Sequence, residues 1–251
     1  MIGFTPEELT KLFSLTLRFK GNVKYSHKEE ADPELAGKIL GVVDGATWIS
    51  IWGDYFGKLL LPGVKLMHVG DDSIQNNFIK AKEEGRQVPP EENIERFCDY
   101  AVGLHEFGAD AIILTCSTMN RSYRRVKERL APYNCPVIQI DVPMMRVAAL
   151  SGKKVGLLVT LDTSIRSSEL LLEEVAAEEK RSVDYKTFVC EEAFAELGRG
   201  EIESHNQRLA GIIKKAVKED GIGIMVLAQL SMGVFQFDYP EPEKTFGIPV
   251  L

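Results

Sequence analysis

The chain has 251 residues, with 30 Lys and Arg against 37 Asp and Glu, for a formal net charge of −7. Hydrophobic residues make 45% and charged residues 27%, the composition of a globular chain long enough for two small domains. The acidic balance repels phosphate backbones and anionic lipid, so nucleic acid and membrane surfaces are not expected partners. No apolar run can span a bilayer, and Met1–Lys11 lacks the pattern of a signal peptide. The 4 cysteines form no Cys-x-x-Cys pair and none sits at zinc-ligand spacing with a His. A reduced, cytoplasmic protein without a metal or nucleotide cofactor is expected.

In chain order, Thr5-Pro-Glu-Glu is a helix start, and a helix is expected over Pro6–Phe19. Short β-branched runs of buried-strand length follow at Ile39–Val43, Lys65–Val69, Ala111–Thr115, Val137–Ile140, Lys154–Val159 and Ile224–Leu227. Amphipathic stretches lie among them at Glu91–Phe107, Ser122–Leu130, Ser164–Glu179 and Glu203–Glu219. Alternating strands and helices make a parallel sheet flanked by helices, with ligands at the C-terminal strand ends. Arg146–Lys153 reads as the crossing between halves, and Ile248–Leu251 as a final strand.

The halves repeat. Gly108-Ala-Asp-Ala-Ile-Ile-Leu-Thr-Cys116-Ser-Thr-Met119 aligns without a gap on Gly221-Ile-Gly-Ile-Met-Val-Leu-Ala-Gln229-Leu-Ser-Met232, at an offset of 113. Leu40-Gly-Val-Val-Asp44 aligns on Val155-Gly-Leu-Leu-Val159 at an offset of 115. Two matches at nearly one offset indicate duplicated α/β domains. The expected layout is an extension over 1–38 and domains over 39–148 and 149–251, with the active site between two Rossmann-like, three-layer halves.

Cys116 leads the candidates for chemistry. It ends a strand where free backbone N–H groups and a helix dipole would lower a thiol's pKa, making it a base or nucleophile. The plainer alternative is a buried structural Cys beside a Ser/Thr cap. Gln229 holds the equivalent place in the second half. Ser117, Thr118 and Ser231 would present donors to an anion. Asp44 ends the first strand and is either a proton carrier or a turn cap. Thr160 and Thr163 either bind an anion or cap the next helix. Asp71-Asp72-Ser73 is read as a helix cap rather than a metal site. Cys98, Cys135 and Cys190 are read as structural. Gly53-Asp-Tyr-Phe-Gly57-Lys58 has the wrong spacing for a phosphate-binding loop, and no Gly-x-Gly-x-x-Gly follows the first strand.

The motif around Cys116, the strand Lys154-Val-Gly-Leu-Leu-Val-Thr160, and Glu191–Glu201 with His205 after it resemble the aspartate/glutamate/hydantoin racemase superfamily over residues 39–251. The resemblance implies two pseudo-symmetric α/β domains and cofactor-independent proton transfer next to a carboxylate, in a family that often forms homodimers. Carried over, Cys116 is one acid/base, while Thr118, Thr160 and Ser231 match carboxylate-binding positions. The second motif normally has a Cys where this chain has Gln229. Ala-Gln-x-Ser-Met resembles a less characterised branch. An amide is no acid or base near neutral pH, so Asp44 or His205 is left to supply the second base. The family also runs on into a closing helix beyond Pro249-Val-Leu251, and the Pro6–Phe19 helix is a candidate to replace it.

The expected activity is a cofactor-independent, racemase-like proton transfer on a small acid or amino acid. The alternatives are a one-cysteine decarboxylase or lyase, a cis-trans isomerase of a small dicarboxylate, a non-catalytic small-carboxylate binding protein, or a structural subunit.

Overall fold

The computed structural model describes Thr5, Glu7 and residues 33–251. Apart from Glu7, the helix expected over Pro6–Phe19 lies outside the described residues. The elements run β1 (Ile39–Asp44), α1 (Thr47–Leu60), β2 (Lys65–Gly70), α2 (Asp72–Glu83), α3 (Glu91–Glu106), β3 (Ala111–Leu114), α4 (Tyr123–Leu130), β4 (Val137–Gln139), α5 (Val142–Leu150) and β5 (Val155–Val159). Then come α6 (Ile165–Glu178), β6 (Tyr185–Val189), α7 (Glu191–Gly198), α8 (Ile202–Asp220), β7 (Ile224–Leu227) and α9 (Pro242–Phe246). Short 3-10 turns follow the central strands at Thr118–Ser122, Asp162–Ser164 and Leu230–Phe237. The chain divides into two compact units at the Ile140–Asp141 junction.

Among the described residues every strand pairing is parallel, as the alternation of strand and helix requires. The first sheet has the order β2-β1-β3-β4 and the second β6-β5-β7. Beside β7, Met225 bridges Val250 in parallel, with Leu227 N–H donating to Leu251 C=O at 2.8 Å. The expected final strand therefore pairs where β4 pairs in the first sheet, and the two sheets share one plan.

Side-chain alternation builds the layers. In β5, Val155, Leu157 and Val159 enter one core with Leu171, Leu172 and Val175 of α6, while Leu158 enters the opposite core with Leu209 and Ile213 of α8. A strand buried on both faces reads as a continuous apolar run, which is how Lys154–Val159 reads. Met145, Ala148 and Ala149 of α5 join the same core as α6, so α5 belongs to the second unit. In the first unit Ile112 and Leu114 of β3 pack with Ile74 and Phe78 of α2 and Phe97 of α3.

Local signals set the helix starts near the strand ends. The Asp71 carboxylate accepts from Ser73 N–H at 2.8 Å and caps α2, in keeping with the cap reading of Asp71-Asp72-Ser73. Thr47–Leu60 is rich in aromatic and β-branched residues, which favour strands. It is a helix because Trp52, Tyr55 and Phe56, at helical spacing, are buried together on one face.

Candidate active site

Asp44 is the last residue of β1, and it is fully buried. The pairing of Val43 with Leu114 puts Thr115 beside it in register, and Thr115 N–H donates to Val43 C=O at 3.1 Å. The Thr115 hydroxyl donates to Asp44 Oδ2 at 2.6 Å, and Ala46 N–H donates to Oδ1 at 3.1 Å. Burial pushes the Asp44 carboxyl up to about 6, with the Thr115 hydroxyl and the N–H groups of Ala46 and Gly45 opposing. A carboxyl held there changes charge close to neutral pH, a property suited to proton transfer.

Cys116 follows Thr115, and one register step further it meets Gly45. A Cβ built on Gly45 would lie 2.9 Å from Cys116 Sγ, so the glycine leaves the room the sulfur occupies. Backbone N–H groups of Met119, Gly45 and Thr118 favour the thiolate. The expectation that these groups lower the thiol's pKa is nevertheless corrected. Burial first, and the charge of Asp44 second, push the Cys116 thiol well above its ordinary value. The turn behind Cys116 is a 3-10 segment of 5 residues, so less dipole field opposes these effects than a full α-helix would supply. Cys116 rests as a thiol beside a carboxylate.

Ser117 and Thr118 open that turn, and both are buried. In the second unit, Leu158 pairs with Leu227, which puts Thr160 beside Gln229 in register. The Thr160 backbone N–H and hydroxyl both donate to Gln229 Oε1, the hydroxyl at 2.9 Å. Thr160 is fully buried and Gln229 nearly so. Ser231 is buried in the 3-10 turn after β7, and Thr163 in the turn after β5. Each unit therefore gathers its candidates at the C-terminal ends of its two central strands.

Sequence reasoning passed over Thr115 and Gly45. The signal for both was the register of Leu40–Asp44 against Ala111–Thr115, which brings 44 to 115 and 45 to 116. It also passed over Asp54, Lys58 and His68. Lys58 is buried and pairs with Asp54, and His68 Nε2 lies 3.4 Å from Asp54 Oδ1. Asp54 and Lys58 lie on α1 and His68 on β2 of the first unit. His205, weighed as a second base, is fully buried, and its Nδ1 lies 2.8 Å from Ala193 C=O. Cys98, Cys135 and Cys190 are free, buried thiols whose pKa values burial raises. Among the described residues no His, Cys, Asp and Glu cluster could hold a metal ion, and no helix is long and apolar enough to cross a membrane.

Parallel α/β units, each with polar residues at its central strand ends and one with a thiol beside a desolvated carboxyl, define a class built for acid–base chemistry on small molecules. The Asp/Glu/Hydantoin racemase family model matches residues 60–251, and the chain belongs to that family. No curated protein matches the chain. Among solved structures it is similar to glutamate racemase from Francisella tularensis in complex with D-glutamate, at 16% identity and a TM-score of 0.58, over 86% of this chain and 75% of that one. It is similar to an aspartate racemase homologue from Pyrococcus horikoshii, at 16% identity and a TM-score of 0.57, over 86% and 93% of the two chains. Allantoin racemase from Klebsiella pneumoniae matches at 17% identity and a TM-score of 0.54, over 85% and 82%. At these identities the likeness is one of fold.

Proposed function

We propose that this chain is a cofactor-independent racemase acting on the carbon next to the carboxylate of a small acid or amino acid, with Cys116 as proton carrier and Asp44 as its partner. The observation that carries this reading is the Cys116 thiol at a central strand end, flanked by a desolvated carboxyl and three backbone N–H groups. In the protonating direction the S–H bond breaks, its proton forms the new C–H bond, and the electron pair of the S–H bond stays on sulfur. The N–H groups of Gly45, Thr118 and Met119 hold the resulting thiolate. In the reverse direction the thiolate removes the α-proton, and the nearby charge of Asp44 makes it a stronger base. Ser117, Thr118, Thr163, Gln229 and Ser231 are proposed to hold the substrate, with neutral donors on its carboxylate, and Thr160 to support Gln229 beside it. The bound D-glutamate of the Francisella tularensis structure supports a small carboxylate as ligand.

The test is incubation of single enantiomers of aspartate, glutamate and related acids in D₂O. Loss of optical activity together with α-deuteration supports the reading. Deuteration with retained configuration, or CO₂ release from a malonate-type acid, would show a one-faced lyase-type reaction instead. Cys116→Ser should lower exchange by at least about a hundredfold, the scale of a lost general acid–base group.

A further inference from the structure

We infer that Gln229 is a substrate anchor whose amide Nε2 donates to a carboxylate oxygen, and that Thr160 is the positioning residue that turns it to this task. The inference rests on the proposed function for its choice of ligand. A backbone N–H can only donate, so the side-chain atom that meets Thr160 N–H must be the amide oxygen. The Thr160 hydroxyl donates to the same oxygen at 2.9 Å, which occupies both of its lone pairs. Rotating the amide by half a turn would set its NH₂ against the Thr160 backbone N–H, two donors face to face, and would leave only the Thr160 hydroxyl able to bond, as an acceptor. The amide is therefore fixed, and its NH₂ group is directed away from Thr160.

That NH₂ group has no hydrogen-bond partner among the described residues, although Gln229 is only 8% exposed. Among the described residues, the side-chain atoms that are sealed and make no hydrogen bond belong to His68, Ser168, His205 and Asn206, so Gln229 Nε2 is not sealed. Ser231, two residues on, has a hydroxyl in the same condition: unpartnered, not sealed, on a residue 1% exposed. Polar groups this buried ordinarily have partners. Two unpartnered donors at one strand end call for a ligand that brings acceptor oxygens, and a carboxylate has two.

The repeat shows what the amide replaces. In the first unit the N–H one register step past Asp44, that of Gly45, supports the Cys116 sulfur. In the second, the equivalent N–H of Thr160 is taken up by Gln229 Oε1. The second strand end thus turns a site for an acid or base into a fixed neutral donor that holds substrate and moves no proton.

The experiment measures binding of succinate and of D- and L-aspartate by titration calorimetry. The proteins are the full chain and its Gln229→Glu, Gln229→Met and Thr160→Val variants, each checked for folding by its melting temperature. α-Deuteration kinetics are measured in parallel. In Gln229→Glu, Thr160 keeps both acceptor contacts but the outward atom becomes an anionic oxygen. Affinity for at least one probe should fall about tenfold or more, as for a lost hydrogen bond to a charged group. Gln229→Met should weaken binding similarly, and Thr160→Val less. In exchange assays these changes should raise KM far more than they lower kcat. Unchanged affinity in both Gln229 variants, or no binding of any probe by the parent, would overturn the inference. If binding behaves as expected while no acid is ever deuterated, the anchor stands and the racemase reading falls.

Discussion

Thr160 and Gln229 are joined by two hydrogen bonds into one oxygen, from the backbone N–H and from the hydroxyl at 2.9 Å. The pair occupies the same register step in β5 and β7 that Gly45 and Cys116 occupy in β1 and β3. One plan of strands therefore carries two chemistries. Where the chain has glycine, a sulfur fits against the backbone; where it has threonine, an added hydroxyl clamps an amide. The difference lies in side-chain volume and donor count, since the strand pairing is the same in both.

In Gly45→Ala the new methyl would lie 2.9 Å from Cys116 Sγ, 3.3 Å from Ile74 and 3.4 Å from Phe78. The sulfur must move, because it is the closest of the three and bears on the reaction directly. A displacement near 1 Å at a reacting atom costs about a hundredfold in rate. We expect kcat for α-deuteration to fall by at least about tenfold, with a stability loss of about 1–3 kcal/mol from overpacking. Undiminished kcat would show that Cys116 is not the reacting group.

Thr115→Val removes the hydroxyl that donates to Asp44 at 2.6 Å and keeps the shape. That bond favours the charged carboxylate, so its loss moves the Asp44 pKa further above about 6. The acidic limb of the pH–rate profile should therefore shift upward. An unmoved limb would mean that another group sets it.

Asp44 also couples folding to pH. Its carboxyl titrates near 3.8 when unfolded and at about 6 when folded. Between those values the folded state binds more protons, so stability falls as pH rises through the window. The contribution is fully present below 3.8 and is lost once pH passes about 6. Asp44→Asn abolishes this titration. Urea unfolding at pH 4 and at pH 7.5 should show the difference between parent and variant moving by about 2.5 kcal/mol in the variant's favour at the higher pH. A constant difference would place the Asp44 pKa near its ordinary value.

β1 to β5 and β7 were legible because parallel strands in a covered sheet leave apolar runs, as in Val155–Val159, whereas β6, Tyr185–Val189, has no buried residue and was not. Helices with clean polar faces, such as α3 and α8, were legible for a matching reason. Thr47–Leu60 was not, because its aromatic and β-branched residues suit a strand and only their helical spacing opposes that. Nor was α5, Val142–Leu150, whose second half fell within the Arg146–Lys153 stretch read as a crossing. Within the candidate site, the repeat pointed to Cys116 and Gln229 directly. The Asp44–Thr115 contact needed the register of β1 against β3, which one strand's sequence does not carry. The direction of the Cys116 shift needed the burial of its sulfur beside Asp44, a tertiary fact, whereas the N–H groups that oppose it follow from local turn geometry.

His205 tests how far a titratable residue near the second-unit core can be separated from chemistry. It is fully buried, with Nδ1 2.8 Å from Ala193 C=O. A carbonyl only accepts, so Nδ1 carries the proton and the ring is neutral, with its pKa lowered mainly by burial. For a base with a depressed folded pKa, the unfolded state takes up protons first. Its stability contribution is present above the unfolded value of 6.5 and is lost as pH falls. His205→Phe should cost about 1–3 kcal/mol near pH 7 through the orphaned Ala193 carbonyl, and should flatten the loss of stability between pH 7 and pH 5. The exchange rate of the folded variant should stay within about threefold of the parent, because a general base would be worth at least about a hundredfold. A fall of that larger size, with the melting temperature unchanged, would instead make His205 the second base that Gln229 cannot be.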